Sequence, residues 1–124
     1  MSDGASGPTA TGFWPALDRL VAESTICIDR PKGSAHPRFP EFVYPLDYGY
    51  LEDTRAGDGH GIDVWRGSQP GRSVTGIVCT LDLLKRDSEV KLLIGCTPDE
   101  ADEIVATHNT GPQSAVLLRR ETFR

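Results

Sequence analysis

The sequence predicts a mainly β, α+β domain: a small, mostly antiparallel β-barrel with an N-terminal helix and one C-terminal helix. Three observations predict it. The apolar runs are short, rich in β-branched residues and bounded by Gly, Pro, Asn and Asp, as antiparallel strands joined by tight connections require. Helical spacing of apolar residues occurs in two stretches only. Strands and helices do not alternate, so the rhythm of a parallel sheet is missing and a small barrel is the simplest arrangement.

Taken in order, residues 1–12 (MSDGASGPTATG) are small and polar. They cannot offset the entropy of their own ordering and are expected to form a mobile tail before a single domain at residues 13–124. Residues 13–23 (FWPALDRLVAE) place Phe13, Leu17, Leu20 and Val21 at helical spacing, with Pro15 tolerated in the first turn. Residues 24–28 (STICI) read as a buried strand running into Asp29-Arg30-Pro31. Glycine and prolines make residues 32–40 a loop. A short extended piece at 42–44 leads to a strand at 46–51, a glycine-rich loop at 52–61 and another strand at 62–66. GSQPGR has turn composition, and residues 73–84 (SVTGIVCTLDLL) are the strongest strand, with Gly76 marking a bulge. A polar turn is expected at 85–88, followed by an apolar strand at 90–96. Thr97 caps a helix whose first turn holds Pro98, Asp99 and Glu100, acids at the positive end of the helix dipole. Ala101, Ile104, Val105 and His108 continue it until Asn109-Thr110-Gly111-Pro112 stops it, and residues 114–119 form the last strand. The whole reads as OB-like.

With 124 residues and 38% hydrophobic content, the chain supplies one core, not two. A net charge of −5 argues against a nucleic-acid partner, which needs a basic stripe for the phosphates. It leaves room for a small phosphate substrate, because a bound metal inverts the local potential. Cys27, Cys79 and Cys96 are odd in number, lack CxxC spacing and sit in or beside apolar runs, as buried free thiols do in a reducing cytoplasm. No apolar run approaches the roughly 18 residues of a membrane span, and no basic-then-apolar leader opens the chain. A soluble, cytoplasmic protein without a membrane partner is expected.

Chemistry concentrates in FVYPLDYGYLEDTRAGDGHGIDVW, residues 42–65. Asp58, His60 and Asp63 gather in DGHGID, and the glycines at 57, 59 and 61 let the backbone turn sharply. Acidic oxygens on such a loop suit a hard divalent cation, which is held by oxygens and keeps some of its water. A solvated acidic loop has the same composition; the preceding YPLDYGY favours a site. Asp82, an acid at the end of an apolar strand, is hard to explain as a solvated residue.

YPLDYGY followed, after a short spacer, by DGHGIDV resembles the soluble (family I) inorganic pyrophosphatases. Their pattern is Tyr-Pro-x-Asn-Tyr-Gly-Tyr/Phe, then Asp-x-Asp-Pro-hydrophobic-Asp-hydrophobic. The likeness is close over residues 44–64 and looser over 25–91. It implies hydrolysis of inorganic pyrophosphate with a divalent metal, Mg²⁺ in the family. Metals neutralise the oxyanions and activate the water, so carboxylates must converge from several strand ends. The resemblance makes Asp58 and Asp63 catalytic acids and metal ligands, and adds Asp29 and Asp82 to the metal set. Either Asp87 or Glu89 completes it: Glu89-x-Lys91 keeps the family's acid-to-lysine spacing, whereas Asp87 keeps the spacing from Asp82. Arg38 stands for a phosphate-binding lysine or takes over from the family's arginine, and its planar fork suits phosphate. Tyr44 and Tyr48 fill the two tyrosine positions; Tyr48 is the better placed to bond substrate or metal-bound water and is counted as catalytic. Arg38, Tyr44, Tyr48 and Lys91 form the implied substrate-binding set. Similar bacterial proteins form compact oligomers, so a homo-oligomer is expected.

The chain also departs from that pattern. His60 replaces the central aspartate of the motif, and imidazole is a poor partner for Mg²⁺ but a good one for Mn²⁺, Co²⁺ or Zn²⁺. Gly61 replaces the motif proline and Asp47 the asparagine. The segment between Pro37 and Tyr44 is too short for the hairpin that carries the family's arginine. No Tyr-Lys pair follows the C-terminal helix, where His108-Asn109 stands instead. Two functions from different classes follow. One is an inorganic diphosphatase. The other is a degenerate pyrophosphatase-like β-barrel with little or no turnover, acting as a phosphate-ligand-binding or structural oligomeric module. An unrelated barrel with a chance motif is a third reading and predicts no shared cleft.

Overall fold

Residues 12–120 are described by the computed structural model, and the tail expected at the N-terminus lies, apart from Gly12, outside them. Helix α1 (Phe13–Ala22) is followed by strands β1 (Ile26–Arg30), β2 (Asp47–Leu51), β3 (Asp63–Arg66), β4 (Val74–Asp82) and β5 (Asp87–Ile94), then helix α2 (Pro98–Thr107) and strand β6 (Gln113–Arg119). They form one six-stranded sheet in the order β1-β2-β3-β5-β4-β6. Every pairing is antiparallel except β3 with β5. Among the described residues no helix is long and apolar enough to cross a membrane.

The expected α+β, OB-like architecture is present, but the sheet does not close into a barrel: β1 and β6 remain its two edges. The reason lies in how the apolar residues divide. A barrel has one inside, whereas this sheet buries both faces under helices. Trp65, Val78 and Leu93 pack with Ala101 and Ile104 of α2 on one face. Val64, Ile77, Leu92 and Ile94 pack with Val21, Leu17 and Leu20 of α1 on the other. Neighbours Val64 and Trp65 are both fully buried because β3 is covered on each side, as central strands are.

Local chemistry sets the boundaries. Ser24 is drawn into the end of α1, its N–H donating to Val21 O and its hydroxyl to Leu20 O, so β1 begins only at Ile26. Thr97 and Glu100 form the expected capping box: Thr97 Oγ1 accepts from Glu100 N (3.1 Å) and Glu100 Oε1 from Thr97 N (2.8 Å). The bulge at Gly76 is present as a register shift between Val74 and Gly76. The β4–β5 turn occupies residues 83–86 rather than 85–88. Asp82 accounts for the difference, because its Oδ1 accepts from both Leu84 N and Lys85 N at 2.9 Å and bends the chain at once. Arg86 completes the turn at φ 61°, and Asp87 opens β5 opposite Asp82.

Candidate active site

The site begins with side-chain alternation along three neighbouring strands. Across β2–β3, Tyr48 lies opposite Trp65 and Tyr50 opposite Asp63. The parallel β3–β5 pair sets Trp65 beside Leu93, and Lys91 lies two residues before it on the same face. Tyr48, Asp63 and Lys91 therefore project together, on the α2 side of the sheet.

They meet at the Lys91 ammonium. Lys91 is 6% exposed, and its Nζ donates to Tyr48 Oη (2.8 Å), Asp63 Oδ2 (2.9 Å) and Glu89 Oε1 (2.8 Å). A lysine has three protons to give, and all three are used. Burial alone would lower its pKa; the Tyr48 oxygen and the Asp63 and Glu89 carboxylates outweigh it and hold it above the ordinary value. Burial likewise tends to raise Glu89, but the hydrogen bond and charge of Lys91 bring it below the usual carboxylate value, against the opposing charge of Asp58. Burial pushes the Tyr48 phenol up despite Lys91, so this hydroxyl stays protonated.

An aromatic wall fixes Tyr48 in place. Its ring lies 4.7 Å from Trp65 and 5.4 Å from Tyr44, centroid to centroid. Tyr44 is itself buried, and burial raises its phenol although Arg30 and Lys91 stand near it. Behind the wall, Trp65 Nε1 donates to His108 Nε2 (3.2 Å), and His108 Nδ1 meets Gln113 Oε1 (2.8 Å). That pair of bonds requires neutral His108 with its proton on Nδ1, and burial lowers its pKa accordingly. Where the resembled family carries a Tyr-Lys pair, this chain has a core histidine.

Asp58, Asp63 and Glu89 also border, with Arg55, a cleft of about 400 Å³ beneath Phe13 and Leu17 of α1, which opens on the sheet face opposite Tyr48 and Lys91. The other residues singled out from the sequence stand elsewhere or are otherwise engaged. Asp29 is exposed, 3.6 Å from the Arg30 guanidinium. Asp82 is 8% exposed and holds the β4–β5 turn, and Asp87 lies 3.8 Å from Lys85. Asp58 Oδ1 accepts from His60 N (2.9 Å), which folds the DGHGID loop on itself and leaves the His60 ring exposed. Arg38 is exposed in the loop before β2, its N–H donating to His36 Nδ1 (3.0 Å). Between Asp87 and Glu89, it is Glu89 that comes beside Asp63 and Lys91.

The residues as arranged do not fit a preformed metal cage. Among the described residues no three of the Asp, Glu, His and Cys side chains are grouped to hold an ion. Lys91 fills the space between Asp63 and Glu89 with its own positive charge. A second cavity of about 630 Å³, lined by Asp18, Thr75, Cys96, Arg119 and Arg120, contains none of the residues predicted from sequence. Its charges are already paired, Arg120 with Asp18 and Arg119 with Asp102.

No family model matches the chain, and no curated protein matches it either. Solved structures do. An inorganic pyrophosphatase from Neisseria gonorrhoeae aligns with a TM-score of 0.57 at 16% identity, over 72% of this chain and 77% of that one. The inorganic pyrophosphatase of Helicobacter pylori gives 0.56 at 17% identity, over 79% and 84%. That of Coxiella burnetii gives 0.54 at 18%, over 74% and 81%. At these identities the likeness is one of fold: this chain has a pyrophosphatase-like architecture.

Proposed function

We propose that this protein hydrolyses inorganic pyrophosphate to phosphate, taking it as a complex with a divalent cation. The observation that supports this most is the meeting of Tyr48, Asp63, Glu89 and Lys91 on a sheet of pyrophosphatase-like fold. Lys91 and Arg38 supply positive charge to the phosphate oxygens and Tyr48 a hydroxyl, with Tyr44 packed behind it. Asp58, Asp63 and Glu89 are the carboxylates that face a cation arriving with the substrate, and His60 stands on the same loop as Asp58. These carboxylates form no cage of their own, so a divalent ion would be held mainly by the substrate's phosphates and would supply neutralisation of their charge. Asp82 holds its own turn, and Asp29 and Asp87 stand beside Arg30 and Lys85 at 3.6 and 3.8 Å, so the three are left out of the reacting set. Three unpaired cysteines suit the cytoplasm.

Phosphate release from pyrophosphate, measured in parallel with Mg²⁺, Mn²⁺, Co²⁺ and Zn²⁺, tests the proposal. The native protein is expected to prefer a metal that accepts imidazole over Mg²⁺. His60→Asp should move that preference toward Mg²⁺ by about tenfold, the lower end of what a change around a metal site does. No release with any of the four sinks the hydrolase and leaves the phosphate-binding module as the reading.

We also propose that the protein self-associates. Leu81, Val90, Val116 and Leu118, 48%, 46%, 58% and 49% exposed, lie beyond α1 on the three adjacent strands β4, β5 and β6. An apolar surface of this kind marks a contact site. Light scattering should give a multiple of the monomer mass, and a second-copy contact predicts that Val116→Asp reduces it. A native protein that is monomeric at micromolar concentration removes the idea.

A further inference from the structure

Lys91 has given all three of its protons to Tyr48, Asp63 and Glu89, so it cannot by itself neutralise both ends of a diphosphate. A second cationic seat is needed within reach of the same aromatic wall. Arg30 stands at that place. It is the last residue of β1 and lies opposite Tyr48 across the β1–β2 ladder, after a register shift between Ile28 and Arg30. Among the described residues its Nη1 makes long contacts, 3.4 Å to Asp29 O and 3.6 Å to Asp29 Oδ2. Its Nε is buried without a hydrogen-bond partner, the one such side-chain atom among the described residues. A buried donor left unpaired carries its desolvation cost, and a guanidinium edge with a free N–H matches two oxygens of a phosphate.

The surroundings have the same sign. Arg38 reaches the His36 ring through its backbone, and that ring lies parallel to Tyr44 at 6.3 Å with an interplanar angle of 11°. Burial and then the charges of Arg30, Arg38 and Lys85 hold the His36 pKa below its ordinary value. Tyr44 feels the charges of both Arg30 and Lys91, and Arg30 comes close enough to bond its hydroxyl. Two cationic groups thus stand near one tyrosine wall, the inner one committed to carboxylates and the outer one close to the Tyr44 hydroxyl with its Nε unpaired.

We propose that Arg30, which like Arg38 bears on the His36 ring, seats the outer phosphate of a diphosphate whose inner phosphate lies toward the Tyr48 hydroxyl. This rests on the pyrophosphate reading above. Calorimetric binding of inorganic phosphate, pyrophosphate and the non-hydrolysable methylenediphosphonate to the native protein, Arg30→Gln and Arg30→Lys tests it. Arg30→Gln should weaken both diphosphates about tenfold or more, as loss of a charge-assisted bond does, and phosphate by less than about threefold. Arg30→Lys should recover part of the loss, since it keeps the charge but not the fork. Unchanged diphosphate affinity in Arg30→Gln, with native melting behaviour, overturns the seat while leaving pyrophosphate hydrolysis standing. Equal weakening of phosphate and diphosphates also overturns it, by putting Arg30 at the inner phosphate. Arg30-dependent binding without phosphate release by the native protein upholds the seat and removes the hydrolase. A native protein that binds none of the three anions removes both.

Discussion

Lys91→Met is expected to lose about 3 kcal/mol of stability at neutral pH, as breaking a buried ion pair from one side does. The methionine fills nearly the same volume, so the loss comes from what it leaves behind. Asp63 and Glu89, 30% and 27% exposed, would keep their charges with no cation between them, and Tyr48 would lose a hydrogen bond. For a domain of this size the change corresponds to a melting temperature lower by about 10–20 °C. The pH profile identifies the cause. Glu89 has a lowered pKa in the folded protein, so its contribution is present above the unfolded value and disappears as pH falls through the folded one. The gap between native and variant should therefore be full at neutral pH and narrow below about pH 4. Adding Asp63→Asn and Glu89→Gln to Lys91→Met should recover most of the loss, because replacing all the charges at once leaves none unpaired. A Lys91→Met protein that melts within about 2 °C of the native one, with its stability curve unchanged in acid, would mean that the three bonds to Lys91 contribute little.

What the sequence reveals, and what it hides, divides by the range of the interaction. The capping box at Thr97 and Glu100 and the bulge at Gly76 are local, so residue type alone marks them. The β4–β5 turn is local too, yet residue type alone places it two residues late, because Leu83-Leu84-Lys85-Arg86 lacks turn composition. Its geometry comes from the Asp82 carboxylate and from Arg86 at positive φ. Alternation cannot distinguish a sheet rolled into a barrel from one covered by a helix on each face. The adjacent fully buried Val64 and Trp65 carry that information, and only packing makes it readable. The site depends on the β3–β5 pair, which joins residues far apart in sequence and is parallel, so no turn announces it. The motif likeness pointed to Asp58, Asp63, Tyr48 and Lys91, along with Asp29 and Asp82, and left Asp87 and Glu89 open; it could not show that Lys91 occupies the space between the Asp63 and Glu89 carboxylates. Nor could it show Asp82 bonded within its own hairpin, or Arg30 beside Tyr44.

Gly49→Ala is expected to have the other large effect. Gly49 is the glycine of YPLDYGY, at the middle of β2 and opposite Ile28 of β1. A Cβ there would collide with the Cys27 carbonyl oxygen and come within 2.8 Å of both Cys27 C and Ile28 Cα. All three atoms are backbone, so no side-chain rotation relieves the clash and β1 itself must move. Among the described residues β1 is an edge strand paired with β2 alone, so it can move, at the expense of its ladder. The cost is put at about 3 kcal/mol or more, the upper part of the range for overpacked sites. Gly57→Ala is the control: nothing among the described residues lies within 4 Å of its Cβ position, and a change within about 0.5 kcal/mol is expected. The damage should also be local. Amide exchange should quicken across β1 and β2 while β4 and β5, paired over eight positions, stay protected. Because Arg30 and Tyr48 face each other across the strained pair, diphosphate affinity should fall together with β1 protection. A Gly49→Ala protein with protected β1 amides and native stability would show that β1 does not approach β2 this closely, and would take with it the placement of Arg30 against the tyrosine wall.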